Sequence, residues 1–239
     1  MKRLSTFGRV LAWLLPRACL VCKKTLQEAD FVCMRCKNTL PCIQHACIRC
    51  ALPLYADESH LCGDCLQHAP PYDRLFALFH YAPPMTEWIH RLKFYEGFCE
   101  ARAMSAYMLE AIKRDWYPEG NLPQLLIPVP LNPVRLRTRG FNQAVELAKP
   151  LARRLKLPLE THRVRRIINT LAQSSLPSKK RQANLRGAFE VALPLQGLHI
   201  ALIDDVVTTG ATVSTLARAC KKQGAQRIDV WCVARTARK

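Results

Sequence analysis

The segment His199–Leu216, HIALIDDVVTTGATVSTL, constrains the fold of this chain more than any other feature. Four apolar residues, Ile200–Ile203, lead into two adjacent acids, Asp204 and Asp205. The small-residue turn Thr208–Thr212 comes next, and the apolar periodicity after it predicts a helix. A buried strand that runs through such a turn places N–H groups and hydroxyls at a helix N-terminus, where phosphate binds. Because the upstream carboxylates can hold sugar hydroxyls or Mg²⁺, the segment predicts a nucleotide or sugar-phosphate site.

Two common phosphate loops do not match this turn. A Walker A loop requires two glycines and a following lysine, and a Rossmann turn requires three glycines. The turn here contains one glycine, Gly210, and no lysine. The alternative interpretation is an ordinary buried strand, turn and capped helix without a ligand.

The length of the chain permits one α/β domain with a small additional module. A chain of 239 residues can hold a domain of roughly 150–170 residues and a short module beside it. No apolar run approaches the roughly 20 residues that span a bilayer. The short apolar run Val10–Leu15 follows three cationic residues, and we favour a surface helix over a signal peptide there. We therefore expect a cytoplasmic protein without a membrane span.

Positive charge is concentrated in one segment. The net charge is +18, and Asn132–Arg186 contains fourteen Lys and Arg residues against Glu146 and Glu160. A solvated basic face is one interpretation of this segment. The other is a polyanionic partner, either pyrophosphate or nucleic acid, because clustered cations gain from releasing condensed counterions.

Eight of the twelve cysteines form four C-x-x-C pairs, which predict two structural zinc ions. Two such pairs complete a closed Cys₄ tetrahedron that leaves no position for substrate. Sequential and cross-brace pairing are both possible, and we favour sequential pairing. We expect the lone cysteines Cys99, Cys220 and Cys232 to be small buried apolar residues. The predicted zinc ligands are Cys19, Cys22, Cys33, Cys36, Cys47, Cys50, Cys62 and Cys65.

The composition changes after Cys65, so we place a domain boundary between residues 70 and 71. A cysteine-rich module then covers residues 1–70 and an α/β domain covers residues 71–239. Within the α/β domain, the period of the hydrophobic pattern and the flanking residues predict the secondary structure. The predicted strands are Leu75–Tyr81, Leu125–Pro130, Ile200–Ile203 and Ile228–Val233. The predicted helices are Met85–Lys93, Glu100–Arg114 and Val213–Gln223.

A basic stretch follows the strand Leu125–Pro130. Arg135, Arg137 and Arg139 alternate beside a glycine, which suits bidentate capture of phosphate oxygens. Asn142 is a candidate N-cap for the next helix, and Pro150 predicts a kink or an early break in it. The polar segment Arg163–Phe189 shows little periodicity and is typical of a lid or a disordered loop.

Together these motifs resemble the ComF family over nearly the whole chain. They comprise the four cysteine pairs, the Arg135–Gln143 stretch, Thr170-x-x-Gln173, Arg181-x-x-Asn184 and the segment His199–Leu216. The segment His199–Leu216 itself resembles the phosphoribosyl-pyrophosphate (PRPP) signature of type I phosphoribosyltransferases. The resemblance implies a zinc-bearing module on an α/β fold of that type, a mostly parallel sheet flanked by helices, and a role in uptake or use of external DNA.

The resemblance also implies roles for individual residues. Asp204 and Asp205 would contact the PRPP ribose hydroxyls, directly or through Mg²⁺, as the catalytic acids. The candidates for contacts with the phosphates of PRPP are Val207, Thr208, Thr209, Gly210, Ala211, Thr212, Val129, Pro130, Leu131, Arg135, Arg137 and Arg139. The candidates on a closing lid are Arg166, Lys179 and Arg181.

Three hypotheses about function follow. The protein could be an active phosphoribosyltransferase, whose acceptor no residue in the sequence identifies. It could instead be a catalytically silent PRPP-fold protein that handles single-stranded DNA, or a PRPP-sensing regulator, for which we find no helix-turn-helix signature. The zinc module could be a scaffold or a docking surface for DNA or other DNA-uptake proteins.

Overall fold

The computed structural model describes residues 18–26, 30–54, 60–167 and 187–237. The chain divides into two compact units, Met1–Leu40 and Pro41–Lys239. Each unit contains a short helix, α1 (Met34–Lys37) in the first and α2 (Gly63–Gln67) in the second. Both helices begin directly after the first cysteine of a C-x-x-C pair, so the second cysteine lies in the first helical turn. The predicted boundary at 70/71 stays a prediction.

A four-stranded parallel sheet forms the centre of the second unit. Its strands are β1 (Arg74–His80), β2 (Leu125–Pro128), β5 (His199–Val207) and β6 (Arg227–Arg235), in the spatial order β1-β6-β5-β2. Two further strands, β3 (Val164–Arg166) and β4 (Phe189–Val191), form a separate antiparallel pair. All four carboxyl ends of a parallel sheet point to one edge, which is where ligands bind in open α/β folds.

Within the described residues, five helices belong to this unit besides α2. They are α3 (Met85–Phe94), α4 (Phe98–Ala111), α5 (Pro133–Arg139), α6 (Gln143–Leu155) and α7 (Ala211–Lys222), and the π-helical turn Ile112–Trp116 extends α4. Helix α4 packs against α6, and α6 packs against β2 and β5. None of the helices in the described part of the chain is long and apolar enough to cross a membrane.

Both faces of the sheet are covered. Ile200 and Leu202 of β5 pack in one core cluster with Val213 and Leu216 of α7. Their neighbour Ile203 is fully buried as well, although successive strand residues point to opposite faces. The sequence of β5 is therefore a continuous apolar run, as expected for a parallel strand between two helical layers.

Most predicted elements lie within one to three residues of the observed ones. One expectation was wrong, because Cys99 is exposed, whereas Cys220 and Cys232 are buried as predicted. Helix α6 continues through Pro150 to Leu155, so the early break that was one of two outcomes expected there does not occur. The arginine stretch, for which no element was predicted, forms helix α5. In the described part of the polar segment Arg163–Phe189, β3 pairs with β4. The predicted N-terminal surface helix lies outside the described residues.

Candidate active site

The carboxyl end of β5 presents the two acids and the turn. Asp204 is half-buried and Asp205 is buried, whereas Thr208 and Thr209 of the turn are exposed. Gly210 is the N-cap of α7 and has a φ of 78°, a left-handed conformation that glycine adopts without a steric penalty. The Thr209 hydroxyl accepts a hydrogen bond from the N–H of Ala211 at 3.4 Å. The first N–H groups of a twelve-residue helix thus lie beside an exposed turn, as an anion site requires.

A second turn follows the neighbouring strand β2. Val129 donates a backbone hydrogen bond to Ile203 of β5 at 2.8 Å, which holds the turn against the strand that carries the acids. Asn132 caps α5 by accepting from the N–H of Val134 at 2.8 Å. Asn142 caps α6, as predicted, and its amide also donates to the Val129 carbonyl at 3.0 Å. Two asparagines therefore fix both ends of the turn that contains Pro130.

Both carboxyl ends open into one cleft of about 830 Å³. Nine of the predicted site residues line it: Asp204, Asp205, Thr212, Val129, Pro130, Leu131, Arg135, Arg139 and Arg166. Arg137 and the turn residues Val207, Thr208, Thr209, Gly210 and Ala211 are not among the lining residues. Lys179 and Arg181 lie outside the described residues. The structure thus brings together residues that are far apart in the sequence.

The acids and cations in the cleft perturb one another. Burial, together with the negative charge of Asp205, raises the pKa of Asp204 well above its usual value. Burial lowers the pKa of Arg139, and the charge of Asp205 opposes that shift. Burial and the charge of Arg135 likewise lower the pKa of Arg166, against the charge of Asp204. Such crowding of charges is typical of a site built for a multiply charged ligand.

Sequence reasoning missed Lys93, a cation in direct contact with one of the two acids. Its Nζ lies 2.7 Å from Oδ2 of Asp205, and the two side chains are 26% and 5% exposed. Lys93 lies in the last turn of α3, where cations commonly complement the helix dipole, so its position in the sequence gives no sign of this contact. Sequence reasoning also missed the aromatic rim, a set of rings in contact with one another of which the first, second and last line the cleft. We define it as His90, Phe94, Tyr95, Phe98 and Phe141.

The two acids fit a divalent cation such as Mg²⁺. Oδ2 of Asp205 is buried and is held by the Lys93 ammonium group at 2.7 Å, an ion pair that a divalent cation could replace. Asp204 contributes a second carboxylate beside it, and carboxylate oxygens are preferred Mg²⁺ ligands. Because Mg²⁺ retains several waters and usually bridges one or two carboxylates to substrate phosphates, two acids in an open cleft are sufficient.

The cysteine pairs form two separate clusters. Cys19, Cys22, Cys33 and Cys36 make one cluster, and Cys47, Cys50, Cys62 and Cys65 make the other; within each, the sulfur atoms lie within 4.8 Å of one another. Sequential pairing is therefore confirmed. Burial raises the pKa of Cys47, but hydrogen bonds from the backbone N–H groups of Cys62 and Cys50 outweigh it and lower the pKa overall. Each set of four thiols fits a structural Zn²⁺.

Two family models match the chain and agree with this architecture. Residues 10–66 match the double zinc ribbon domain, and residues 142–239 match the phosphoribosyl transferase domain. A purine phosphoribosyltransferase from Pyrococcus horikoshii has a TM-score of 0.33 at 15% identity, over 55% of this chain and 82% of that one. The parallel sheet, its flanking helices and the family match define the class: a protein with a type I phosphoribosyltransferase fold and an N-terminal double zinc ribbon.

Relatives identify the family within that class. The chain is 42% identical to the DNA utilization protein YhgH of Shigella flexneri, over 77% of this chain and 82% of that protein. It is 35% identical to competence protein F of Haemophilus influenzae, over 73% and 78% respectively. Competence protein ComFC of Bacillus subtilis is 29% identical over 62% of this chain and 58% of that protein. The chain belongs to the ComF family, which includes these DNA utilization and competence proteins.

Proposed function

We propose that this protein binds PRPP with Mg²⁺ and transfers its ribosyl 5-phosphate group to an acceptor, with release of pyrophosphate. The observation that carries this proposal is the convergence on one cleft of two carboxylates, the turn after β2, Thr212 at the end of the turn after β5, and three arginines. The names of the relatives support a setting in competence or DNA utilization.

Each part of the cleft suits one part of PRPP. The turn Thr208–Thr212, whose last residue lines the cleft and whose first two residues are exposed, would supply N–H groups and hydroxyls for the 5-phosphate. Asp204 and Asp205 would hold the ribose hydroxyls and Mg²⁺. A bound Mg²⁺ ion would neutralise negative charge on pyrophosphate. Arg135, Arg139 and Arg166 supply guanidinium groups for pyrophosphate oxygens.

The reaction would break the bond between C1 of the ribose and the pyrophosphate oxygen. Positive charge develops on the ribose ring as the electron pair leaves with pyrophosphate, and the acceptor nucleophile then forms the new bond to C1. The arginines stabilise the departing negative charge, and the two acids stabilise the electron-poor ring. Catalysis therefore depends on fixed charges that are already in place before the substrate binds.

Calorimetric titration of the full chain with PRPP and Mg²⁺ tests the proposal. We expect binding by the wild type and a loss of at least about tenfold in affinity for Asp205→Asn, because a charge-assisted contact is removed. Asp115→Asn is the matched control, since Asp115 forms an exposed ion pair with Arg114 at 2.8 Å. A wild type without affinity for PRPP, or an Asp205→Asn variant with unchanged affinity, would contradict the proposal.

A second candidate function is the handling of single-stranded DNA, and the aromatic rim favours it. Phe94 and Tyr95 are 63% and 68% exposed, and the Arg139 guanidinium lies over the Phe94 ring at 5.4 Å from its centroid. Exposed aromatic rings beside cations are typical of proteins that stack the bases of single strands. The basic strand β3 and its flank add Arg163, Arg165 and Arg166.

Fluorescence anisotropy with a labelled single-stranded oligonucleotide tests this second function. We expect affinity to fall steeply between about 50 and 200 mM salt and after replacement of Arg163, Arg165 and Arg166 with glutamine. Phe94→Ala should cost about 1–3 kcal/mol of binding free energy for one lost stacking contact. Leu66→Ala is the control, because Leu66 is an exposed apolar residue outside the cleft. Binding that is insensitive to salt and to these arginines refutes the function.

A further inference from the structure

We propose that Lys93 is a substrate-binding residue that exchanges partners when the cleft fills, a role that rests on the proposed PRPP site. In the structure its ammonium group pairs with Asp205. When Mg²⁺ and a pyrophosphate group enter, Asp205 pairs with the metal ion and Lys93 pairs with phosphate oxygens.

The packing of α3 directs Lys93 into the cleft. Met85, Trp88, Ile89 and Leu92 bury one face of the helix, with exposed fractions of 2% or less. Ile89 and Lys93 are four residues apart and therefore lie on the same side of the helix, and both line the cleft. The lysine stem leaves the buried face and carries its charge to the acids, whose strand is remote from α3 in the sequence.

The contact differs from an ordinary surface ion pair. The Asp205 side chain is 5% exposed, and the Lys93 side chain is 26% exposed, so solvent screens their attraction only partly. Lys149, by comparison, pairs with Glu146 at 2.6 Å on the surface of α6 and is 57% exposed. Such an exposed pair contributes little to stability, whereas a cation against a buried acid changes what that acid can bind.

Charge balance makes an exchange of partners favourable. Asp204 and Asp205 provide two carboxyl groups where a divalent cation would bind, and the Lys93 ammonium group, 2.7 Å from Oδ2 of Asp205, competes for that oxygen. Lysine suits such an exchange, since its point charge lies on a flexible four-carbon stem and does not require a fixed bidentate geometry. Pyrophosphate offers the displaced ammonium group a multiply charged partner in the same cleft.

This role predicts effects of opposite sign for two ligands. Lys93→Met keeps the apolar stem and removes the charge. We expect its affinity for Mg²⁺ alone to rise severalfold, because the competing cation is gone, and its affinity for Mg²⁺-pyrophosphate and for PRPP to fall about tenfold or more. Lys93→Arg should keep pyrophosphate affinity within a few-fold of the wild type. A purely structural role would instead weaken the binding of both ligands.

Isothermal titration of the full chain with Mg²⁺ alone, Mg²⁺-pyrophosphate and PRPP measures these affinities, with Lys149→Met as the control and Lys93→Gln as a second neutral variant. Pyrophosphate affinity within twofold of the wild type, or parallel losses for Mg²⁺ and pyrophosphate, would overturn the role of Lys93. A wild type that binds pyrophosphate but not PRPP removes the proposed enzyme function and leaves the role of Lys93 in anion binding standing. A wild type that binds neither overturns both.

Discussion

At the scale of single residues, Asp229 anchors a buried polar network away from the cleft. Its carboxylate is fully buried, accepts a hydrogen bond from the Tyr117 hydroxyl at 2.5 Å, and contacts Nε2 of His199 at 2.8 Å. Arg227 lies 3.2 Å from the same carboxylate, and the Tyr117 hydroxyl accepts from the indole N–H of Trp231 at 3.0 Å. His199 and Arg227 begin β5 and β6, so this network joins the amino-terminal edge of the sheet, opposite the acids.

Removing one hydroxyl tests this network. Tyr117→Phe leaves both Asp229 and Trp231 with one partner fewer, and we expect a loss of about 1–3 kcal/mol in the free energy of unfolding at pH 7. Urea denaturation measures the loss, and Tyr95→Phe is the control because Tyr95 is 68% exposed. A loss below about 0.5 kcal/mol contradicts the importance of the hydroxyl.

The network also makes stability depend on pH. Burial on its own raises the pKa of Asp229, but hydrogen bonds from His199 and Tyr117 and the charge of Arg227 lower it overall. A carboxyl with a lowered pKa in the folded state stabilises the protein above its unfolded pKa of about 4, and this contribution disappears as the pH falls through the folded pKa. We therefore expect the wild type to lose stability at acid pH. The penalty of Tyr117→Phe should shrink there, as urea denaturation across that pH range would show.

At the scale of elements, helix α5 separates the three alternating arginines that the sequence analysis proposed together as phosphate ligands. Alternate residues share one face in a strand, but 3.6 residues per turn place them on nearly opposite sides of a helix. Arg135 and Arg139 therefore share a side and line the cleft, and Arg137 does not line it. The helix could have been predicted from its ends, since Asn132 is an N-cap, Pro133 occupies the first turn and Gly140 ends it with a φ of 79°.

The two sides of α5 give a prediction with an internal control. Arg135→Gln and Arg139→Gln should each weaken the binding of Mg²⁺-pyrophosphate by about tenfold, because each removes a charged donor from the cleft. Arg137→Gln removes the same charge from the same helix and should change affinity by less than about twofold. Calorimetry on the three variants measures this difference. Equal losses in all three would mean that only the net charge of the helix matters.

Some features of the site could be predicted from the sequence, and others could not. The buried strand β5, its acids and the glycine turn form one continuous segment, so hydrophobic pattern and turn chemistry were sufficient to predict them. The cysteine pairs were predictable as well, because a metal site requires two-residue spacing. Lys93 and the aromatic rim reach the cleft through the packing of α3 and α4 on distant elements, and local patterns carry no information about such packing.

At the scale of the whole molecule, Arg235 connects the second cysteine cluster to the phosphate turn. Its side chain is buried at 5% exposure, and its Nε donates to the Cys50 carbonyl at 3.0 Å. Its Nη1 donates to the carbonyls of Val207, at 3.0 Å, and of Thr208. One guanidinium group thus holds backbone from both the ribbon and the turn. Ala51, next to Cys50, also packs in the same core cluster as β5 and α7.

This connection predicts that the two metal sites have unequal effects on the PRPP site. The first cluster lies in the unit Met1–Leu40, and the second lies in the same compact unit as the sheet. Replacing Cys47 and Cys65 with serine should remove one zinc ion, release the Cys50 carbonyl from its fixed position, and lower both PRPP affinity and unfolding free energy, the latter by several kcal/mol. Replacing Cys22 and Cys33 should remove one zinc ion as well but leave PRPP affinity within about twofold.

Zinc content by atomic emission and PRPP affinity by calorimetry measure the two effects. Equal losses of PRPP affinity from both double variants would show that Arg235 is not the connection that matters, whereas the expected asymmetry would make the second ribbon a structural part of the phosphate site.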